Sequence, residues 1–452
     1  MSVSVLHHKV ILADDSPIWE DSSPSGMWPT SATVWLVAIY MALFIIRPWE
    51  KMIPEMASLR VERVYAAVMI AATILSGRIR LRCSTQTAAV LFNLAALAIC
   101  SATAVDSWLA WPEMYKYCVV AIFYLVFISV TRTPRELIFL AICYLVIMGA
   151  YLGKAEWEYF VNGACSYRQG VVRMIGIERT FGSANMLAAS IVYSLPRLYF
   201  AFACRRAITA DWPGLWRRLF TPCLAVYLAA AVGGVILTRS RSGALALLAF
   251  LALVALRGST WTHKIRNLSL VAAGCVLFFF LGLSDEARGR LSTIWDSDAG
   301  PAAAKESFEG RWAGFAAGVQ MFADRPLHGV GVNNYLSYRI AHVDGVPLKA
   351  HNLFGELLGE TGLLGALGFL AVVGVTLWNC RRTQRLGRES SHPTAEILSQ
   401  FSLACRDMTA LLLFEGLGGH NLMRFHWLWI AAFSVRAYEM QRGLVLGSET
   451  RN

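Results

Sequence analysis

Charged residues are scarce in this 452-residue chain, and no polar linker divides it. Only 16% of its residues are charged, whereas 56% are hydrophobic, which is more apolar than an ordinary soluble domain. No Pro/Gly/Ser-rich stretch separates two halves, and apolar blocks recur from about residue 30 to the end. A soluble protein of two or three linked domains is therefore disfavoured, and a membrane protein is indicated.

Disulfide and metal motifs are also missing. The ten cysteines are scattered, mostly inside apolar runs, and form no CxxC pair, so we expect no disulfide framework. There is no HExxH motif, and the acidic residues of the polar loops are not clustered as a divalent cation requires. We therefore predict no metal and no cofactor. Residues 1–28 lack the basic start and cleavage site of a signal peptide and are expected to be a polar cytoplasmic tail.

Apolar runs define the predicted fold. A membrane-spanning helix needs about 20 mostly apolar residues. Twelve runs approach this length: 30–46, 61–77, 85–103, 117–131, 136–153, 185–203, 220–237, 242–256, 267–283, 363–379, 399–416 and 425–440. The sequence thus predicts an all-α, polytopic transmembrane bundle of about 12 spans. Its parts are nine helices in 29–283, a long extracytoplasmic loop at 284–362, three helices in 363–440 and a cytoplasmic tail at 441–452.

The net charge of +11 follows a topological pattern. Short connections rich in Lys and Arg stay in the cytoplasm. Every second connection is basic here, which places both termini inside and six loops outside, and makes nucleic-acid binding unnecessary to explain the charge. The basic residues concerned are Arg78, Arg80, Arg82, Arg132, Arg135, Arg205, Arg206, Arg217, Arg218, Arg257, Lys264, Arg266, Arg381, Arg382, Arg385, Arg388, Arg436 and Arg442.

Some cations lie on the outer side, against this bias. Arg239 and Arg241 occupy the short connection 238–242 between two apolar runs, where a cation near membrane depth is costly and usually functional. Arginine offers a fixed fork of donors suited to phosphate oxygens, so an anionic ligand is the natural interpretation. For single arginines of the long loop, such as Arg311, ordinary solvated charges paired with nearby carboxylates remain the alternative.

The long loop carries one predicted helix and a glycine-rich turn. Residues 308–323 place one apolar stripe on a helical face, and Asp324-Arg325-Pro326 predicts the helix end. Gly329 and Gly331 follow in a stretch that could cradle phosphate through backbone N–H groups, although the Gly-Lys-Ser/Thr ending of a P-loop is missing. The stripe consists of Phe308, Trp312, Phe315, Val319 and Phe322.

His351 and Asn352 stand just before the tenth span. A neutral imidazole at this position can act as a general base near pH 7. The alternative is a helix-capping Asn352 beside an incidental interfacial histidine. His420 and Arg424, in the last outer connection, are weaker candidates of the same kind.

The order of these pieces resembles the O-antigen ligase/polymerase superfamily of bacterial glycan-assembly enzymes. The matching pieces run over residues 175–370: Arg179-Thr180-Phe181-Gly182-Ser183-Ala184-Asn185, Thr238-Arg239-Ser240-Arg241-Ser242-Gly243, Gly310-Arg311-Trp312, Pro326-Leu327-His328-Gly329-Val330-Gly331, His351-Asn352 and Glu360-Thr361-Gly362-Leu363-Leu364-Gly365. Ala184 stands where the family usually has proline. The N-terminal third matches only as hydrophobic spans.

The resemblance implies a metal-independent glycosyltransferase at the outer, periplasmic face of the bacterial cytoplasmic (inner) membrane. The donor would be a glycan on undecaprenyl diphosphate, and the acceptor a hydroxyl of lipid A-core, of another lipid-linked glycan or of a protein. By motif match, Arg241 and Arg311 would hold the diphosphate with Arg239 and Arg179 beside them, and His351 would activate the acceptor. Asn352, Asn185, Gly329 and Gly331 would support this site.

Two other classes remain open from the sequence. A transporter or flippase for lipid-linked or anionic solutes would also use many spans and outward arginines, but no internal repeat of the transporter kind is present. A structural membrane scaffold would not need Arg239, Arg241 and His351 in these positions. Ligase, polymerase and protein glycosylase are not distinguished.

Overall fold

The computed structural model describes most of the chain. The described residues are 28–47, 49–52, 61–78, 83–168, 171–177, 180–257, 260–277, 288, 302–390 and 392–449. The predicted tail at 1–28 lies almost wholly outside this part, as does Arg179.

The described chain is almost entirely helical. Its helices are α1 (Ala32–Ile46), α2 (Trp49–Met52), α3 (Val61–Leu75), α4 (Thr85–Ala102), α5 (Ser107–Val130), α6 (Pro134–Val161), α7 (Ala184–Ala203), α8 (Arg205–Ile208), α9 (Gly214–Thr238), α10 (Arg241–Ala255), α11 (Trp261–Leu277), α12 (Ala302–Asp324), α13 (Tyr335–Tyr338), α14 (Leu353–Glu389), α15 (Pro393–Gly416) and α16 (His426–Glu449). A π-helical turn, Arg339–Val343, follows α13.

Seven of these helices are long and apolar enough to cross a membrane, counting only described residues. They are α4, α5, α6, α7, α9, α14 and α15, and the shorter helices α1 and α10 are also apolar. A helix overlaps each of the twelve predicted spans. The helical membrane fold is therefore confirmed, whereas the count of about 12 crossings stays a prediction.

Helix starts follow local sequence signals. The side chain of Thr133 accepts a hydrogen bond from the backbone N–H of Glu136, whose carboxylate accepts from the N–H of Thr133 in return. Pro134 occupies the first helical position of α6, where its missing N–H costs nothing. Asp106 caps α5 in the same way, by accepting from Trp108 and Leu109.

The predicted loop 154–184 contains more structure than expected. α6 continues to Val161, and an antiparallel hairpin of β1 (Cys165–Arg168) and β2 (Val171–Met174) follows. Four-residue strands with mixed polarity give little periodic signal, so an all-α prediction missed this small element.

α14 is central to the fold and is broken at Gly362. It packs against α4, α12, α15 and α16. At Gly362 the backbone is left-handed, with φ 58° and ψ −156°, so the straight helix restarts at Leu363, where the sequence predicted the span. The segment Pro326–Gly331 lies in the break: the N–H of Leu363 donates to Pro326 O over 2.8 Å, and the N–H of Val330 donates to Gly359 O over 2.9 Å.

α12 confirms the predicted helix and its end at Asp324, and the apolar stripe is not the face that packs on α14. Trp312 is 69% exposed and Val319 41% exposed, while the side chain of Phe308 lies outside the described residues. The face that packs on α14 instead carries small residues, because they let two helix backbones approach closely. Its members are Gly314, Ala317, Gly318 and Met321.

Candidate active site

His351 lies where α12, the start of α14 and the connection 417–425 meet. Its backbone is left-handed, with φ 45°. The next residue, Asn352, caps α14: its Oδ1 accepts from the N–H groups of Phe354 (2.9 Å) and Gly355 (3.0 Å). The Asn352 Nδ2 donates to Leu417 O over 3.0 Å. Asn352 therefore holds the helix start and the 417–425 connection together around His351.

The rings of His351 and His420 are neighbours. Their centroids are 5.1 Å apart in an edge-to-face arrangement. Partial burial, together with Arg311 and Lys349, lowers the pKa of His351 below its ordinary value of 6.5. Burial, His351 and nearby cations lower the pKa of His420 to about 4. Both imidazoles are therefore neutral at pH 7, and a neutral imidazole can accept a proton.

Arg311 reaches this cluster from α12. A Cβ atom at Gly418 would lie 3.4 Å from the Arg311 Cζ, so the guanidinium packs against the glycine backbone beside His420. Burial lowers the pKa of Arg311, and the carboxylate of Glu415 opposes that shift. The close packing of α12 on α14 makes this reach possible: at Gly314 a Cβ atom would lie 2.2 Å from Ala350 O.

Arg239 and Arg241 occupy a tight turn between α9 and α10. Arg239 is left-handed, with φ 47°, and the Ser240 side chain caps α10 by accepting from the Gly243 N–H over 3.2 Å. Both arginine side chains are half-buried. Arg241 is the first residue of α10, at the positive end of a helix dipole.

Asn185 organises this turn from the first turn of α7. Its Oδ1 accepts from Ser240 Oγ over 2.9 Å and from Arg173 Nη2 over 2.6 Å. Arg173, in β2, also donates from Nε to Thr238 O over 2.9 Å and is 8% exposed. Arg173 thus fastens the hairpin, α7 and the arginine turn to one another.

One small cavity of about 120 Å³ is lined by His351, His420 and Asn185, whereas Arg239, Arg241 and Arg311 are not among its lining residues. Its lining includes residues from the first turn of α7, from the first turn of α10 and from the position just before α14. Three helix N-termini therefore meet there, and their N–H groups and dipoles favour an anion. The lining residues from these starts are Ser183, Asn185, Met186, Ser242 and His351, and Glu415, His420 and Arg424 lie opposite.

Gly329 and Gly331 have structural roles. Both have positive φ, and a Cβ atom at Gly329 would lie 2.4 Å from the Glu360 carbonyl carbon. The N–H groups of Val330 and Gly331 donate to Gly359 O and Glu360 O, each over 2.9 Å. These N–H groups are therefore bonded to the carbonyl groups at the break in α14. The geometry does not favour a phosphate cradle at this turn.

Arg339, a cation of the long loop, is paired with a nearby carboxylate, which is the alternative to ligand binding for single arginines of this loop. It is fully buried, and it donates from Nε and Nη2 to the Asp344 carboxylate and from Nη1 to Leu348 O over 3.1 Å. Its hydrogen bonds to Asp344 lower the pKa of that carboxyl group. Arg339 therefore shapes the loop rather than binding a ligand.

Sequence reasoning missed Arg173 and Glu415 as members of this site. Arg173 lies in the connection between the predicted spans 136–153 and 185–203, and only the folded hairpin brings it to its partner Asn185. The signal for Glu415 was a carboxylate inside an apolar run, which is usually functional. Among the described residues, no group of three His, Cys, Asp or Glu side chains could hold a metal ion.

Comparison with known proteins agrees with the motif order. Residues 226–370 match the family model described as O-antigen ligase, and this segment contains Arg239, Arg241, Arg311 and His351. No curated protein matches the chain. The family match confirms the resemblance carried by the motifs and supports the placement of this membrane protein in the O-antigen ligase/polymerase superfamily.

Proposed function

We propose that the protein is a glycosyltransferase that moves a glycan from undecaprenyl diphosphate to an acceptor hydroxyl at the outer face of the inner membrane. The observation that carries the proposal is the shared cavity: Ser242 and Asn185, from the arginine turn and its support, line it together with His351. Arg424 lines the same cavity, and Arg311 packs against Gly418 in its wall. A cation and a neutral imidazole at one cavity are the two kinds of group that this reaction needs.

In the proposed reaction, a ring nitrogen of His351 takes the proton of the acceptor hydroxyl. The acceptor oxygen then attacks the anomeric carbon, and the bond between that carbon and the phosphate oxygen breaks. The electron pair of this bond leaves on the diphosphate, so negative charge grows there as the reaction proceeds. Attack from the side opposite the leaving group would invert the anomeric centre.

Arg241 and Arg311 would stabilise the departing diphosphate, and Arg239 and Arg179 are further candidates for the same role. Preorganised cations in a site partly shielded from water can lower such a barrier by several kcal/mol, since they need no rearrangement as charge develops. The three helix N-termini add to this field. A general base contributes about 10²- to 10⁴-fold in rate, so neither group alone would suffice.

Asn185 and Asn352 are supporting residues in this proposal because each fixes an element that carries a reacting group. No step uses a metal ion. The donor lipid, the acceptor and the choice between polysaccharide polymerase, lipid A-core ligase and protein glycosylase are part of the proposal at the level of class only.

The test uses purified protein in detergent, with an undecaprenyl-diphosphate-linked glycan and candidate acceptors. We expect a glycosylated acceptor and released undecaprenyl diphosphate without any sealed compartment. A transporter or flippase, which the family match does not support, would give no product in detergent and would move the lipid-linked glycan only across vesicles. That result would overturn the proposal.

A further inference from the structure

A second and much larger cavity, of about 1060 Å³, adjoins the 120 Å³ site. It lies between α1, α3 and α5 and is also lined by Ile177, Thr180 and residues 423–425. Its size is at the upper end of the roughly 300–1,000 Å³ usual for small-molecule sites. The smaller cavity is lined by the proposed base His351, and its volume leaves no room for a saccharide.

Arg424 lines both cavities. Its Nη1 donates to Thr180 O over 3.4 Å, and the Thr180 hydroxyl donates to Phe44 O over 3.4 Å. Arg424 is thus part of the wall of both cavities, and its hydrogen bond to Thr180 O holds it at their boundary.

The lining of the large cavity combines aromatic rings with charges of both signs. The Arg63 guanidinium lies 4.9 Å from the Tyr115 ring centroid. Arg47 pairs with Glu50 at 3.1 Å, and Lys116 pairs with Glu113 at 2.5 Å. The charged lining residues are Arg47, Arg63, Lys116 and Arg424 against Glu50, Glu62 and Glu113, and the aromatic ones are Tyr40, Phe44, Trp49, Tyr115, Tyr117, Phe123 and Phe425.

This chemistry fits a saccharide better than a diphosphate. Four cations against three carboxylates leave almost no net field to attract a dianion. Carboxylates accept, and guanidinium and ammonium groups donate, hydrogen bonds to hydroxyls, while tyrosine and tryptophan rings offer flat apolar faces with a polar edge. The charged groups are complementary to the hydroxyl edge of a sugar ring, and the aromatic rings are complementary to its C–H face.

The cavity also lies wholly outside the family match. Its lining residues fall in 40–180 and 423–425, whereas the match covers 226–370. The proposed reacting groups Arg239, Arg241, Arg311 and His351 therefore lie in the matched segment, and the lining of the large cavity lies outside it.

We propose that this cavity binds the acceptor as a saccharide and presents its hydroxyl to His351 past Arg424. The inference rests on the proposed function for the identity of the reaction, but not for the binding of the saccharide.

The test measures binding and transfer separately. The probes are an oligosaccharide released by mild acid from the surface polysaccharide of the source cell, and a Ser/Thr-containing peptide. Binding to the full protein in detergent is followed by saturation-transfer NMR and calorimetry, which need no turnover. Tyr115→Ala and Glu62→Gln change the cavity, and Tyr167→Ala is the matched control, because Tyr167 is 71% exposed on the hairpin and lines neither large nor small cavity.

We expect the oligosaccharide to bind and the peptide not to bind. Tyr115→Ala should weaken oligosaccharide binding by about tenfold, the usual scale for loss of a contacting aromatic ring, and should raise the acceptor KM while the donor KM stays unchanged. Tyr167→Ala should behave as the wild type. Glu62→Gln should weaken binding with the ring still in place.

The inference is overturned if the oligosaccharide fails to bind, if the peptide binds instead, or if neither cavity variant changes binding. Failure of the proposed function has a different signature: the wild type would bind the oligosaccharide with the expected sensitivity to Tyr115→Ala and yet form no product. If Tyr115→Ala and Glu62→Gln both transferred the glycan with an unchanged acceptor KM, the proposed acceptor cavity would be wrong, while the proposed function would stand.

Discussion

At the residue scale, the account depends on a few side chains whose positions come from neighbours far away in sequence. Asn185 is the clearest example, since it accepts from Arg173 and Ser240 at once. The sequence identified the arginines and His351 from their placement against the charge bias and before a span. It could not identify Arg173 as a support, because only the folded hairpin brings it to Asn185.

The same limit applies to His351 and Asn352. Sequence reasoning posed a general base against a helix cap as alternatives, and the structure shows the cap at Asn352, next to the proposed base His351. Asn352 caps α14, and that cap leaves the neighbouring imidazole beside His420 and within the field of Arg311. The preference of asparagine for helix starts predicts the cap at Asn352. It does not predict which groups surround the side chain of His351.

Replacement of Arg241 or Arg311 by alanine should abolish most transfer while the protein still inserts and folds. Loss of one preorganised charge-stabilising group costs about 10²- to 10³-fold in turnover. Arg→Lys should restore only part of the activity, because the planar fork of donors is lost. Turnover of the lipid-linked donor by purified variants is the measurement.

The control for these variants is Arg385→Ala, since Arg385 is 73% exposed and pairs only with Glu389 within α14. Near-normal activity of Arg241→Ala would move the diphosphate site away from this turn, with Arg239 or Arg179 as the next candidates.

Lys349→Gln should shift the pH dependence of transfer. Lys349 lowers the pKa of His351, together with burial and Arg311. The base works in its neutral form, so activity falls as pH drops through the pKa of His351. Removal of the Lys349 charge raises that pKa, and the acidic limb of the rate profile should therefore move to higher pH. Lys154→Gln is the control. If the acidic limb stayed at the same pH in Lys349→Gln, His351 would not be the group that sets this limb.

At the scale of elements, the sequence was most informative where chain geometry is local. It predicted the end of α12 at Asp324, from the proline that follows, and the start of a span at Leu363. It did not reveal that α14 already begins at Leu353 and breaks at Gly362. The break is stabilised by Pro326–Gly331, and such pairing between distant backbones leaves no periodic signal.

The face of α12 that packs on α14 is not the apolar stripe that the sequence shows. Hydrophobic periodicity favours the stripe with Trp312 and Val319, yet Gly314 and Gly318 make the contact with α14. Between membrane-associated helices, small residues allow close approach, and apolar side chains need not face protein. Periodicity alone cannot separate these two cases.

Gly318→Ala tests the importance of this close approach. A Cβ atom at Gly318 would lie 2.2 Å from Gly355 O, so α12 must move away from α14 and carry Arg311 away from His351. We expect loss of transfer and a lower unfolding temperature in detergent, with about 1–3 kcal/mol of destabilisation, as for other overpacked sites.

Gly310→Ala is the matched control on the same helix. The nearest atom to a Cβ atom there is Leu348 Cδ1 at 4.0 Å, so the extra methyl group is accommodated. If both variants were equally stable and active, the close contact between α12 and α14 would not position Arg311.

At the scale of the whole molecule, composition predicted a helical membrane protein, and the structure agrees. The number of about 12 crossings stays a prediction. Seven helices in the described part of the chain satisfy length and hydropathy together, because several others are short or carry charges near their ends. The predicted orientation follows from the alternation of Lys and Arg among the connections.

Two native cysteines can test the predicted orientation. Cys83 and Cys165 are both exposed, and the alternation of Lys and Arg places Cys83 inside and Cys165 outside. On a background cleared of all other cysteines, a membrane-impermeant maleimide should label Cys165 in intact cells and Cys83 only after permeabilisation. Labelling of both from the same side would overturn the topology and the outer-face site with it.

The most direct test of the central claim separates donor binding from turnover in His351→Gln. Glutamine keeps much of the size and hydrogen bonding of histidine, but it cannot act as a base at neutral pH. If His351 takes the acceptor proton, single-turnover transfer should fall by about 10²-fold or more, while the Kd for the lipid-linked donor stays close to the wild-type value. Transfer at a nearly normal rate by His351→Gln would contradict the account.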